Sequence, residues 1–275
     1  MSRRHQIEVR LGAYAEVRAI LSAMKNVALI ELRKLGGLLE HQRRALATIE
    51  RAAEDFLRFY APPDAAPQPP GVCIAIGSER GFCGELNEVL AEAARARGER
   101  LLVVGTRLAE RLGEKLAADA LPGASVAEEL PAVLEQVAAW LERAQRAAPS
   151  APLRVIALYE DPESVAPAAR IIAPLPVPDK PAHERGYAPR LTLPPARLFP
   201  ALAEQALLMS LQGAFSLSLI AENRRRLEHM DSALRRLDET SAGLARRVNA
   251  YRQEEITQEI EVIMLSAEAL AARES

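Results

Sequence analysis

Residues 227–251, LEHMDSALRRLDETSAGLARRVNAY, place Leu227, Met230, Leu234, Leu237, Ser241, Leu244, Val248 and Tyr251 at alternating spacings of three and four. Such a strict seven-residue repeat keeps one seam facing a partner helix and implies a left-handed supercoil. The other end of the chain carries a matching stretch. There the seam runs from Ile7 through Leu11, Tyr14, Leu21, Ala28, Leu32, Leu35, Leu39, Leu46, Ile49, Ala53 and Phe56 to Tyr60, and its polar members are Arg18, Lys25 and Gln42. Each seam needs a long cover, and the opposite terminus is the natural one. At 1.5 Å per residue, helices over about 3–60 and 198–273 would run roughly 85 and 110 Å. Rods of that length exceed a small domain severalfold and suit a part that transmits position or force.

The stretch between the rods has another character. APPDAAPQPP, residues 61–70, ends the first helix, because proline lacks the amide donor and collides with the preceding turn. A second proline-rich stretch, 174–200, leads into the last helix, where a proline near the start is well placed. Between them, Val72–Ile76, Leu101–Val104 and Leu153–Leu158 are predicted strands, and Glu85–Arg97, Arg107–Ala118 and Ala132–Arg146 predicted helices. This alternation predicts a parallel sheet with right-handed crossovers. The expected fold is of mixed α+β and α/β character: a long antiparallel coiled coil of N- and C-terminal helices with an inserted Rossmann-like α/β domain. Its expected divisions are residues 1–60, 71–175 and 198–275.

Composition excludes several classes. With 275 residues, 49% hydrophobic and 26% charged, the chain is far from the disordered regime, and a net charge of −2 gives no basic excess for nucleic acid. No run of eighteen apolar residues occurs and MSRRHQIEVR lacks the apolar stretch of a signal peptide, so neither a membrane span nor export by that route is expected. Cys73 and Cys83 do not make a disulfide framework, and His5, His41, His183 and His229 lack metal-ligand spacing. No metal, cofactor or catalytic residue is expected.

The loop GSERGFCGEL after the first strand stands where phosphates bind in doubly wound domains. Its glycines, Gly77, Gly81 and Gly84, match neither the dinucleotide fingerprint nor the phosphate loop. A tight turn leading into the next helix is the favoured reading, and Cys83 is read as a small buried side chain rather than a nucleophile.

Three islands then carry a resemblance over essentially the whole chain. They are Ala23-Met24-Lys25-Asn26-Val27-Ala28 with Leu32-Arg33, Ser78-Glu79-Arg80-Gly81-Phe82-Cys83-Gly84 with Leu86-Asn87, and Arg252-Gln253-Glu254-Glu255-Ile256-Thr257-Gln258-Glu259. In this order and setting the chain resembles the gamma subunit of F-type ATP synthases, the central rotor stalk. It departs from the family pattern at Val262 and Ser266-Ala267, at Glu85 in place of a second loop glycine, and at Arg224-Arg225-Arg226, of which only Arg226 has a family counterpart. These departures mark a divergent branch.

The resemblance implies a stalk inside a ring of alternating alpha and beta subunits, with the inserted domain against the epsilon subunit and the membrane c-ring. It further implies no nucleotide bound by the chain itself, and a peripheral place at the cytoplasmic face of a bacterial inner membrane within a proton- or sodium-translocating machine. Arg226, Gln253, Thr257 and Glu259 would bond loops of the beta subunits, and Met24 and Lys25 would lie near the beta-subunit levers. Lys25 has a second possible role, since one polar residue on an apolar seam can set register. The competing functional readings are a coiled-coil scaffold and a nucleotide-binding α/β protein dimerised by its long helices.

Overall fold

The computed structural model describes residues 3–60, 71–149, 152–164, 166–175 and 187–271. The linker at 61–70, residues 176–186 of the second proline-rich stretch, and His183 lie outside the described residues. The protein is helix-rich, with a mixed five-stranded sheet between long N- and C-terminal helices. The chain divides into two compact units, one of Met1–Val27 with Glu228–Ser275 and one of Ala28–Leu227.

Two helices take part in both units. Helix α1 covers Arg3–Leu57 and α5 covers Pro195–Ala271. Pro195 opens α5 because a first-turn amide has no intrahelical partner, and the carbonyl of Pro194 accepts from the amides of Arg197 and Leu198 at 2.9 and 3.0 Å. The start falls slightly earlier than the expected Leu198.

Within Met1–Val27 and Glu228–Ser275, the two helices run antiparallel. Arg4 pairs with Glu255 at 2.8 Å, Arg18 with Asp238 at 2.8 Å and Lys25 with Asp231 at 2.6 Å, so numbers rise along one helix as they fall along the other. Met230 and Leu244 are buried between them, while Ile7, Leu11, Tyr14 and Leu21 are half-buried. Arg18 is the exposed member of the predicted seam, which suits a charge at the rim of a two-helix contact.

In Ala28–Leu227 the sheet forms the middle layer. Strands β1 (Gly71–Ile76), β2 (Arg100–Val104), β3 (Ala120–Leu121), β4 (Arg154–Tyr159) and β5 (Ala168–Ala173) stand in the order β3-β2-β1-β4-β5. The β2–β3, β1–β2 and β1–β4 pairs are parallel and β4–β5 is antiparallel. The expected all-parallel sheet is therefore corrected by one strand. A parallel return needs a crossover of a dozen or more residues, and the short 160–167 connection permits only an antiparallel neighbour.

Side chains of β1, β2 and β4 alternate between two apolar layers. Cys73, Ala75, Val103, Ile156 and Leu158 face helices α2 (Leu86–Arg95) and α3 (Thr106–Leu112). On the other face Val72, Ile74, Leu102, Val155 and Tyr159 join α4 (Leu130–Ala147) and the α1 and α5 segments carrying Leu35, Leu39, Leu211 and Phe215. Both faces are covered, which is why β1 and β4 read as continuous apolar runs. Helix α3 ends well before the expected Ala118, at Gly113, whose φ of 76° a side-chain-bearing residue rarely adopts.

Candidate functional site

The loop after β1 is held by its own side chains. Asn87, at the start of α2, accepts from the Ser78 amide at 3.0 Å and donates to Ser78 Oγ at 2.7 Å. Ser78 Oγ in turn donates to the Arg80 carbonyl at 3.0 Å and lies 3.1 Å from Cys83 Sγ. Phe82 and Gly84 both take positive φ, 66° and 59°, to fold the chain back toward α2. Cys83 is buried, and that burial raises its thiol pKa, the opposite of what a nucleophile needs. Gly77 is required by packing, since a Cβ there would come within 2.4 Å of Leu108 Cβ.

Glu79 ties this loop to the next two strand ends. Its carboxylate accepts from the Thr106 amide and hydroxyl at 3.0 and 2.7 Å and from the Gly123 amide at 2.7 Å. Burial opposes its ionisation, but these bonds and nearby Arg107 outweigh burial and hold the carboxyl below its usual range. The N-terminus of α3, where a helix would offer amides to an anion, is thus taken by a carboxylate of the chain itself.

The carboxyl ends of β1 and β2 are also closed from the other side. Phe215, Ser218 and Glu222 of α5 meet Ile76, Gly77, Val104 and Gly123 there, leaving a cavity of about 10 Å³, room for one water at most. Ser218 Oγ donates to the Ile76 carbonyl at 3.1 Å. Next to it lies a buried polar cluster. Arg226, 6% exposed, is ion-paired with Glu222 and donates to Asn223 Oδ1 at 3.1 Å. Burial pushes the Glu222 carboxyl up to about 7, with Arg226 pulling the other way. The two arginines without a family counterpart have local work: Arg224 donates to the Pro162 carbonyl at 3.2 Å and Arg225 pairs with Glu160 at 2.8 Å, both anchoring the β4–β5 connection.

The residues assigned to ring contact fall into different settings. Gln253, Thr257 and Glu259 are exposed on α5, and Thr257 Oγ1 donates back to the Gln253 carbonyl at 2.9 Å. Met24 is half-buried on α1, and the Lys25 ammonium is already engaged by Asp231 of the opposite helix, as a register role requires. Arg226 sits in the other unit, buried on Glu222, and would have to leave that partner to reach a second chain. In the helix-pair unit apolar side chains remain outside the seam: Val9, Val17, Ile20 and Val27 on α1, and Ile256, Ile260, Val262 and Ile263 on α5.

Sequence reasoning missed several polar residues that organise the sheet unit. Glu31, 4% exposed and just off the seam, accepts from the Ala127 amide at 3.1 Å, while Lys34 bridges Glu31 and Glu128. Glu79 and Asn87 were legible only as letters of a motif. Among the described residues no cluster of histidine, cysteine and carboxylate side chains could hold a metal, and no helix is long and apolar enough to cross a membrane.

The family model for ATP synthase matches residues 3–270. Among solved structures, the chain is similar to one from the rotor of Euglena gracilis mitochondrial ATP synthase, at 14% identity and a TM-score of 0.56, covering 92% of this chain and 98% of that one. A chain from the central stalk and c-ring of Tetrahymena thermophila mitochondrial ATP synthase matches at 17% identity and a TM-score of 0.53, covering 78% and 99%. A second Euglena gracilis chain, from the OSCP/F1/c-ring assembly, matches at 13% identity and a TM-score of 0.56, covering 99% and 96%. No curated protein matches the chain. At these identities the structures speak for the fold, and the match along nearly the whole sequence speaks for the family: the chain belongs to the ATP synthase family as a gamma subunit, the central rotor stalk.

Proposed function

We propose that this rotor stalk couples ion flow through a membrane c-ring to ATP synthesis or hydrolysis in a surrounding ring of alpha and beta subunits. The observation that carries the proposal is the helix pair, which spends its seam on itself yet leaves Val9, Val17, Ile20, Ile256, Ile260 and Ile263 exposed. An apolar surface of that kind calls for a surrounding protein. In this reading residues 1–60 and 198–275 form the coiled coil, and 71–175 form a Rossmann-like domain that meets the epsilon subunit and the c-ring. The stalk acts at the cytoplasmic face of a bacterial inner membrane, moving protons or sodium ions. It binds no nucleotide, a reading supported by Glu79 at the α3 N-terminus and α5 over the strand ends.

Met24, Lys25, Gln253, Thr257 and Glu259 are the proposed contacts to the beta-subunit levers and loops. Arg226 joins them by exchanging Glu222 for a ring acceptor. In the assembled enzyme, Gln253→Ala and Arg226→Ala are each expected to slow ATP turnover through lost hydrogen bonds of about 1–3 kcal/mol, with assembly intact. Wild-type coupled turnover in both variants would strike these residues from the contact surface and leave the stalk's shape to carry torque.

A further inference from the structure

A second cavity, of about 180 Å³, lies in the sheet unit where α1, α5 and β5 meet. Gln42 of α1 lines it, is 5% exposed, and among the described residues neither its Nε2 nor its Oε1 has a hydrogen-bond partner. Leaving both ends of a buried carboxamide unmet is costly, and native proteins rarely tolerate it without a ligand or water. Much of the wall around it, including Leu39, Leu217, Ile172 and Leu175, is apolar, while Arg43, Glu50, Tyr159, Arg170 and Ser210 add polar groups to the lining.

The chemistry of the lining selects the guest. Gln42 presents one donor group and one acceptor, so its complement presents the reverse pair. A carboxylate has no donor to offer Oε1; Glu50 in the lining repels it while Arg43 and Arg170 attract it, so the unmet Oε1 is what counts against it. An ammonium has no acceptor for Nε2 and meets Arg43 and Arg170, the latter 3.5 Å from Asp161, against the single carboxylate of Glu50. A neutral amide satisfies both ends of Gln42 and carries no charge for the lining to repel. A dry cavity of roughly 150 Å³ accepts benzene, which sets the size of the apolar body. We propose that this cavity is a binding site for a neutral small molecule with an apolar body of about one aromatic ring and a primary carboxamide or lactam edge, read by Gln42. The site is independent of the stalk's proposed ring contacts.

Benzamide, benzoate and toluene are the probes, followed by calorimetry on the full chain. Saturable 1:1 binding of benzamide is expected, with benzoate and toluene weaker by about tenfold or more. Gln42→Leu should lose benzamide affinity by a similar factor while toluene binding persists. Leu217→Trp, which fills the cavity and leaves Gln42 in place, should abolish both. Circular dichroism confirms that each variant is folded. No saturable heat from benzamide overturns the proposal, as does equal affinity for benzamide and toluene or unchanged benzamide binding in Gln42→Leu. Binding to the isolated chain that vanishes in the assembled enzyme also overturns it, and assigns the cavity to a neighbouring subunit's side chain.

Discussion

The sheet unit and the helix-pair unit are built from the same kinds of residue and reach opposite degrees of closure. In the sheet unit Leu90, Leu102 and Leu108 are fully buried, and a carboxylate such as Glu79 is satisfied by amides of the chain itself. In the helix pair the seam residues are mostly half-buried, the bridging ion pairs are solvent-exposed, and isoleucines and valines stand outside. A two-helix contact can cover only one stripe per helix, whereas a sheet covered on both faces hides the side chains of its central strands. The first unit is thus a finished domain and the second is half of an interface.

One sharp test of that contrast is the same substitution in both units. Leu90→Asp buries a carboxylate without a partner and is expected to cost about 5 kcal/mol, unfolding the sheet unit. Leu244→Asp, at 8% exposure on the seam of the pair, is expected to cost about 3 kcal/mol and separate the helices while the sheet unit persists. Limited proteolysis with circular dichroism distinguishes them. Equal and global unfolding by both would make the two units one cooperative body.

Acidity probes the sheet unit alone. Glu222 has its carboxyl raised from 4.5 to about 7, so the stability gained by burying its neutral form is complete below pH 4.5 and is lost as pH rises through about 7. The loss is on the order of 3 kcal/mol, and Glu222→Gln should flatten that slope in denaturant titrations between pH 4.5 and 8. A wild-type slope in the variant would place the titrating group elsewhere.

The smallest effect belongs to the helix pair. Lys25→Asp sets two carboxylates opposite one another at a partly exposed position, for about 1 kcal/mol, and Asp231→Lys in the same chain should restore it. Failure of the double variant to recover would mean that the pair does not hold the register.

What was legible in the sequence follows the same divide. The seams were plain because a heptad repeat sustained over Leu227–Tyr251 keeps one apolar stripe on one side of a helix, and such a stripe must be covered. Strands β1, β2 and β4 were plain because strands buried on both faces are continuously apolar. Strand β5 was hidden: AARIIA is half-exposed, carries Arg170 in its middle and adjoins a proline-rich stretch. The two residues of β3 carry no periodicity at all. Polar roles were the least legible, because the partners of Glu79 and Glu31 are backbone amides far away in sequence, at Gly123 and Ala127. Arg226 is assigned to the ring through the family resemblance alone, and its buried pairing with Glu222, four residues earlier, shows only once α5 is laid on the sheet.

That the chain turns as a stalk can be checked by watching it in the assembled enzyme. A bead fixed to the sheet unit through a cysteine placed at exposed Glu114 should rotate in one direction when ATP is supplied, and cross-linking α5 at Ile260 to the surrounding ring should stop both rotation and ATP turnover. Undiminished ATP turnover with the cross-link in place, or with the bead at rest, would mean that catalysis in the ring does not depend on the turning of this chain.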